Sequence, residues 1–153
     1  MANIEMLRPY VEQQVSQLLG VEKLQVDQDG DIPIRSGSSV TFARLLDGPT
    51  GPMFRVFSPL LLDIKGSPEL LGKLNELNSG APYVRFFWTN DAVYCAADLK
   101  ADTLDPGEIK NVLDAVTWHA DQFDDALKKE FGGRRMMENE EPPKPAAQDS
   151  SYL

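Results

Sequence analysis

A strand-like segment that leads into a well-marked helix start constrains the fold of this chain more than any other feature. Residues 53–62 are rich in aromatic and aliphatic side chains, which favour strands. Ser67 then precedes Pro68 and Glu69. A serine hydroxyl can accept a free backbone N–H at a helix start, and proline is tolerated at the first helical position. The segment therefore predicts a strand followed by a helix, whose apolar side is formed by Leu70, Leu71, Leu74 and Leu77.

Two further segments have the periodicity of amphipathic helices. Near the start of the chain, apolar side chains recur at steps of three and four residues up to Gly20, namely Ile4, Leu7, Val11, Val15 and Leu18. Towards the end, Asp105, Pro106 and Glu108 form the pattern of a capping box at a helix start. This last helix is predicted to end at the glycines 132–133, and its apolar stripe is Ile109, Val112, Val116, Ala120, Phe123, Leu127 and Phe131.

The segment that follows the first helix predicts a β-hairpin. Leu24 and Val26 alternate with polar residues, and Ile32 and Ile34 resume the alternation. The Asp-Gly pair at 29–30 is a favoured turn sequence for such a hairpin.

Four more strands are expected at 40–46, 53–62, 83–88 and 92–99, separated by turn-forming residues or by the second helix. The predicted order is α-β-β-β-β-α-β-β-α, with hairpin connections between neighbouring strands. This order favours an α+β fold, in which helices cover one face of an antiparallel sheet of about five to six strands.

Composition narrows the range of partners. Among 153 residues, 15 Lys and Arg stand against 24 Asp and Glu, for a formal net charge of -9. This charge opposes contact with phosphate backbones or anionic lipid, so we expect neither nucleic acid nor a membrane as partner. Residues 1–9 lack the basic and apolar regions of a secretory leader, and together with a single cysteine this favours a cytoplasmic location.

The predicted elements divide the chain into a domain at 1–133 and a tail at 134–153. The tail mixes Glu, Pro, Lys, Ala and Ser and has little apolar content, so we expect it to be disordered. The sequence leaves open whether this segment, which ends in Tyr152-Leu153, docks on its own domain.

Side chains that could carry covalent chemistry are few. His119 is the only histidine, and it lies on the last helix beside Trp118, where a structural role is expected. Cys95 lies in an apolar strand without a basic neighbour, which predicts a buried, inert thiol. Neither has the companions of a catalytic triad in its surroundings, so we predict no catalytic residue.

Metal sites and cofactors are not expected either. Residues 27–31 resemble the start of a calcium loop, but Ser38 stands where a bidentate glutamate is required, so a turn is favoured. Asp121, Asp124 and Asp125 are interpreted as the solvated side of the last helix.

One pattern on the strands points to a binding surface. Strand alternation puts arginine and phenylalanine side chains together on the face opposite Phe54, Val56 and Phe86. Aromatic residues and arginine are enriched in interface hot spots, so this face, or the dimer groove beside it, is predicted to bind a client segment with acidic and apolar side chains. The alternative is that the arginine stems cover the rings while the charged groups stay in water. The predicted client-binding residues are Phe42, Arg44, Arg55, Phe57, Arg85 and Phe87.

Several short motifs resemble the actinobacterial branch of the YbjN-like proteins, which is similar in fold to the type III secretion chaperones of the Tir-chaperone class. The resemblance spans about residues 4–133, and its motifs lie at 57–61, 67–71, 74–78, 85–88, 105–106 and 120–133. It implies a small non-enzymatic homodimer that binds peptide segments of a protein client. By the same resemblance, two copies pair through the second helix and the following strand, at Leu70, Leu74, Leu77, Phe86 and Trp88.

The sequence is compatible with two classes of function. The first is a dimeric peptide- or protein-binding chaperone or adaptor. The second is a small-ligand sensor or an enzyme that uses a pocket between sheet and helices. A deep polar cavity at His119, Asp121 or Cys95 would favour the second, and a shallow apolar groove would favour the first.

Overall fold

A computed structural model describes residues 3–37, 39–137 and 148–149 of the chain. The elements follow the order α1 (Ile4–Leu19), β1 (Ile32–Ser36), β2 (Ser39–Gly48), β3 (Gly51–Leu61), α2 (Pro68–Gly80), β4 (Arg85–Thr89), β5 (Ala92–Lys100), α3 (Pro106–Phe131) and β6 (Gln148–Asp149). Within the described ranges, the strands form one sheet in the order β4-β5-β3-β2-β1-β6. Every pairing is antiparallel except that of β6, which runs parallel to β1. The α+β prediction is confirmed.

The helix ends are those that the sequence predicts. Gly20 ends α1 in the left-handed conformation at φ 69°, which costs glycine little. The Ser67 hydroxyl accepts the N–H of Leu70 at 3.0 Å at the start of α2. The Asp105 carboxylate accepts the N–H of Glu108 at 2.8 Å, and the Glu108 carboxylate accepts the N–H of Asp105 at 3.2 Å. The capping box at the start of α3 is therefore complete.

The predicted hairpin around residues 29–30 is wrong. No strand forms at residues 21–31, and Val26 is 44% exposed. The Asp27 carboxylate accepts the N–H groups of Asp29 and Asp31, both at 2.9 Å, and the Asp27 N–H donates to the Asp31 carbonyl. This local turn around Asp27 thus occupies backbone N–H groups that would otherwise pair with a second strand of the hairpin. The strand at Ile32–Ser36 pairs instead with β2.

The core lies between one face of the sheet and the helices α1, α2 and α3. Phe54 and Val56 of the central strand β3 are fully buried, and they share a cluster with Val15, Leu70 and Val116 from the helices. Polar side chains inside this layer are paired. The Thr41 and Thr117 hydroxyls lie 3.1 Å apart and join β2 to α3. Burial therefore confirms which sheet face the helices cover.

The prediction of a disordered tail concerns mostly residues outside the described part of the chain, at 138–147 and 150–153. Before them, the Leu62 N–H donates to the Arg134 carbonyl at 2.7 Å, and the Arg134 N–H donates back to Leu62 at 3.0 Å. Between the two ranges lies the short strand β6. The division into a domain and a disordered tail stays a prediction. In the part of the chain that is described, none of the helices combines the length and apolarity that a bilayer crossing requires.

We expect Gly66→Ala to destabilise the domain. A Cβ atom at Gly66 would lie 2.9 Å from the Trp88 ring, which is held because its indole N–H donates to the Ile64 carbonyl at 2.9 Å. Overpacking of this kind costs about 1–3 kcal/mol. Gly72→Ala is the matched control, because nothing lies within 4 Å of its added Cβ on α2, and it should stabilise the helix by ~0.5–1 kcal/mol. Urea unfolding of both variants measures the two effects, and equal stability of Gly66→Ala and the parent chain would contradict the first.

Candidate functional site

The sheet face opposite the helices brings the six predicted client-binding side chains together. Strand register places Phe42 opposite Phe57 and Arg44 opposite Arg55 on β2 and β3. Each of the six is partly buried, whereas their chain neighbours Phe54, Val56 and Phe86 point into the core. We call this surface the open face, defined by Asp31, Phe42, Arg44, Arg55, Phe57, Arg85, Phe87, Tyr94 and Asp98.

Four aromatic rings form a continuous row across the open face. The Phe42 and Phe57 rings stack with centroids 5.3 Å apart, and Phe57 meets Tyr94 edge-on at 6.4 Å. Tyr94 in turn stacks on Phe87 at 5.5 Å. Offset stacking and edge contacts are the favoured arrangements of aromatic pairs. The row crosses β2, β3, β5 and β4 and provides apolar area that the helices do not cover.

The arginines of the open face are bound by aspartates of the same face. Arg44 donates two hydrogen bonds to Asp31, both at 2.7 Å. Arg55 donates two to Asp98 at 2.7 and 2.9 Å, and Arg85 reaches the same carboxylate at 3.3 Å. Bidentate pairs fix the guanidinium planes. Three guanidinium groups face two carboxylates, so the surface carries one excess positive charge in a chain whose formal net charge is -9.

The same arginines lie over the aromatic row. The Arg44 guanidinium is 4.9 Å from the Phe57 ring centroid, and the Arg85 guanidinium is 5.4 Å from that of Phe87. Cation–π contacts of this length are attractive. The guanidinium groups themselves therefore cover part of two rings, whereas the alternative interpretation places only the stems there. A cleft of about 220 Å³ stays open, lined by Arg44, Arg55, Phe57, Phe87, Thr89 and Tyr94.

Asp98 is the charged centre of this arrangement. Burial would raise its pKa, but the hydrogen bonds and charges of Arg55 and Arg85 outweigh burial and lower the pKa below its ordinary value. The hydrogen bond to Asp98 likewise raises the pKa of Arg55, and the one to Asp31 raises that of Arg44. Asp98, Arg44 and Arg55 therefore stay ionised at neutral pH.

Sequence reasoning missed Tyr94, Asp98 and Asp31 as members of the surface. Tyr94 and Asp98 lie two and six residues into a strand that begins at Ala92, so alternation along β5 was sufficient to find them. Asp31 lies before β1, and only the fold brings it to Arg44. No sequence signal predicts that contact.

The predicted dimer residues are divided between the core and the surface. Leu70, Leu74 and Phe86 are at most 3% exposed, because they pack inside the core of the single chain. These three side chains have almost no exposed area left for contact with a second copy of the chain, so their predicted role in the dimer interface needs correction. Leu77 and Trp88 are partly buried, and the neighbouring Leu71 of α2 is 51% exposed. The pairing of two copies through α2 and β4 stays a prediction.

The residues weighed for an enzyme or sensor do not converge on one pocket. Cys95 is fully buried, and burial raises the pKa of its thiol to about 12. His119 packs beside Phe86 and Phe123, and its Nδ1 lies 2.7 Å from the Ala115 carbonyl. A surface cleft of about 510 Å³ includes His119 and Asp121, but all its lining residues lie on α3. It is not a cavity between sheet and helices.

The three aspartates of α3 differ in their surroundings. Asp121 accepts a hydrogen bond from the Ser39 hydroxyl at 2.9 Å, and Asp125 pairs with Arg135. Asp124 is 4% exposed, so the prediction of a fully solvated side is wrong there. Burial raises the pKa of Asp124 above its ordinary value. Across residues 3–37 and 39–137, no group of three or more His, Cys, Asp or Glu side chains is placed to hold a metal ion.

A family model described as "T3SS (YopN, CesT) and YbjN peptide-binding chaperone 1" matches residues 5–139. The chain belongs to this family. Both parts of the predicted resemblance, to YbjN-like proteins and to type III secretion chaperones, are thereby confirmed, and so is the prediction of a chaperone that binds peptides or proteins. Assignment to the actinobacterial branch stays a prediction. No curated protein matches the chain.

Solved structures share the fold at low sequence identity. The ExsC–ExsE complex matches at 14% identity with a TM-score of 0.63, over 82% of this chain and 97% of that one. The HopA1–SchA chaperone–effector complex matches at 11% with a TM-score of 0.59, over 82% and 99%. The ExoU–SpcU complex of the type III secretion system of Pseudomonas aeruginosa matches at 14% with a TM-score of 0.59, over 78% and 98%. These similarities confirm the chaperone fold.

We expect Asp98→Asn to lower stability at pH 7 by about 1–2 kcal/mol, because two partly exposed arginines lose their charged partner. The folded-state pKa of Asp98 is lowered, so its contribution is present above about pH 4, the unfolded value, and is lost as the pH falls through the folded value. Chemical unfolding at pH 7 and pH 3 should therefore show a difference from the parent chain that shrinks in acid. Exposed Asp102→Asn is the control, and a difference that grew in acid would contradict the assignment.

Proposed function

We propose that this chain is a non-enzymatic chaperone or adaptor that holds an extended segment of a client protein on the open face. The aromatic row carries the proposal, since the rings of Phe42, Phe57, Tyr94 and Phe87 leave contiguous apolar area on the side without helices. Contiguous exposed apolar area on a soluble domain is typical of a protein-binding surface. The family supports the class of ligand.

The ion pairs of the open face determine which client segments it can bind. Arg44 and Arg55 already have carboxylate partners, so an acidic client residue would have to compete with Asp31 or Asp98. Apolar client side chains therefore supply most of the affinity by covering the rings. Acidic client residues add orientation at Arg85, which shares Asp98 with Arg55 and is the more exposed of the two, at 43% against 32%.

Catalysis has little support in the described residues. The thiol of Cys95 is buried with a raised pKa, and His119 faces aromatic rings. Neither meets the partners that a nucleophile or a general base requires. We further propose a cytoplasmic location, which suits a chain with a single buried cysteine.

The double variant Arg55→Glu with Arg85→Glu should lose client binding. Two negative charges beside Asp98 would repel acidic client residues and disturb the covered rings, so we expect affinity to fall at least tenfold. The measurement is fluorescence anisotropy with client peptides selected from an array by the parent chain. Arg8→Glu on α1, which changes charge away from the open face, is the matched control and should bind normally. Circular dichroism checks that each variant is folded, and unchanged affinity of a folded double variant would refute the surface assignment.

We also propose that two copies pair through α2 and β4, with Leu71, Leu77 and Trp88 at the contact. Leu71 is 51% exposed on α2, beside the buried Leu70 that anchors the helix to the core. Leu71 on α2, with the partly buried Leu77 and Trp88, leaves apolar area that two copies would share across a two-fold axis.

Sedimentation equilibrium at micromolar concentration should give the mass of two chains, and Leu71→Asp should reduce it to one. Val26→Asp is the control, because Val26 is 44% exposed but lies outside α2 and β4. A strictly monomeric parent chain would contradict the pairing while leaving the open-face proposal intact.

A further inference from the structure

The β1 edge of the sheet carries a short strand from the far end of the chain. β6 runs parallel to β1, with Ile34 opposite Gln148 and Arg35 opposite Asp149. Residues 138–147 of the sequence connect it to the segment that follows α3. The two paired strands are far apart in sequence. The hairpin neighbour β2 pairs with one side of β1, and β6 pairs with the other side.

The opposite edge of the sheet is closed by a side chain. On β4, the Asn78 amide group donates to the Phe86 carbonyl at 2.9 Å and accepts the Phe86 N–H at 2.7 Å. Both outward backbone groups of Phe86 are thereby satisfied. A free strand edge is a template for another chain, and proteins usually cover such edges. Asn78 interrupts the β4 edge at Phe86, and the added strand β6 lies at the β1 edge instead.

The sequence of β1 limits how far such an addition extends. Pro33 has no N–H to donate, and proline in a sheet is confined to edge strands or bulges. Ile34 next to it is fully buried on the core side. A ladder on this edge is therefore interrupted at Pro33 and runs along residues 34–35, which is the extent of the pairing with β6.

We propose that the C-terminal segment around Gln148 and Asp149 is an intramolecular strand that closes the β1 edge to other extended polypeptides. The occupant is the chain itself, so the inference goes beyond the proposed function and does not depend on what the open face binds. A tethered segment acts at an effective concentration in the millimolar range. It therefore excludes a free peptide of equal intrinsic affinity that is present at micromolar concentration.

Gln148→Pro in the full-length chain is the decisive variant, because proline removes the backbone donor of the docked strand. Gln148→Ala is the matched control that keeps the donor. Successive N–H groups of a strand point to opposite sides, and proline in an edge strand has its nitrogen on the outer side, so the N–H of Arg35, two residues after Pro33, faces β6. Amide hydrogen exchange by NMR should be at least tenfold faster at Arg35 in Gln148→Pro than in the parent chain or in Gln148→Ala. The amide of Val56 on the central strand β3 should be unchanged in all three and reports intact folding.

A labelled synthetic peptide of residues 146–153 provides the second readout. It should bind Gln148→Pro at least tenfold more tightly than the parent chain, whose own segment occupies the edge. Equal exchange at Arg35 in all three chains would overturn the proposal, and so would equal binding of the peptide. Protection that rises with protein concentration would assign the strand to a second copy and would overturn the intramolecular contact.

Discussion

The two-residue alternation along β3 is the constraint on which the rest of the structure depends. β3 lies in the interior of the sheet and pairs with both β2 and β5, so its two faces define the two faces of the sheet. Phe54 and Val56 point to the helices and are fully buried, and Arg55 and Phe57 between and beside them point the other way. A slip of one residue in register would bury the guanidinium group and expose the ring of Phe54. The core and the open face are therefore consequences of one pattern.

Ion pairing makes the open face compatible with a stable sheet. Arg44 and Arg55 lie directly opposite each other across β2 and β3, where like charges repel. Asp31 and Asp98 outweigh this repulsion by binding one guanidinium each, and Asp98 also holds Arg85. The guanidinium groups can then lie over the aromatic rings. The resulting surface combines aromatic rings with paired charges.

The helices and their ends were predictable because their signals are local. Ser67 with Pro68 and Asp105 with Glu108 act within one helical turn, and both caps form as predicted. The hairpin expected at residues 29–30 is absent for an equally local reason, because the Asp27 carboxylate accepts the nearby N–H groups that a pair of strands would use. Reading Asp27 as a turn-former rather than as a strand residue would have corrected it. The burial of Asp124 also had a local signal, because this residue lies four positions after Ala120 and three before Leu127, on the apolar stripe of α3.

Apart from the strand expected around Leu24 and Val26 and the added β6, the sequence alone determined the order of the elements, the helix boundaries and the composition of each sheet face. These follow from residue periodicity and from contacts within a few positions. Only the tertiary structure decided that Arg44 binds Asp31, that Leu74 and Phe86 are used up by the core, and that β1 rather than β4 accepts a further strand. Those outcomes depend on residues brought together from distant parts of the chain. Local propensity carries no information about such neighbours, which are set by how the layers pack.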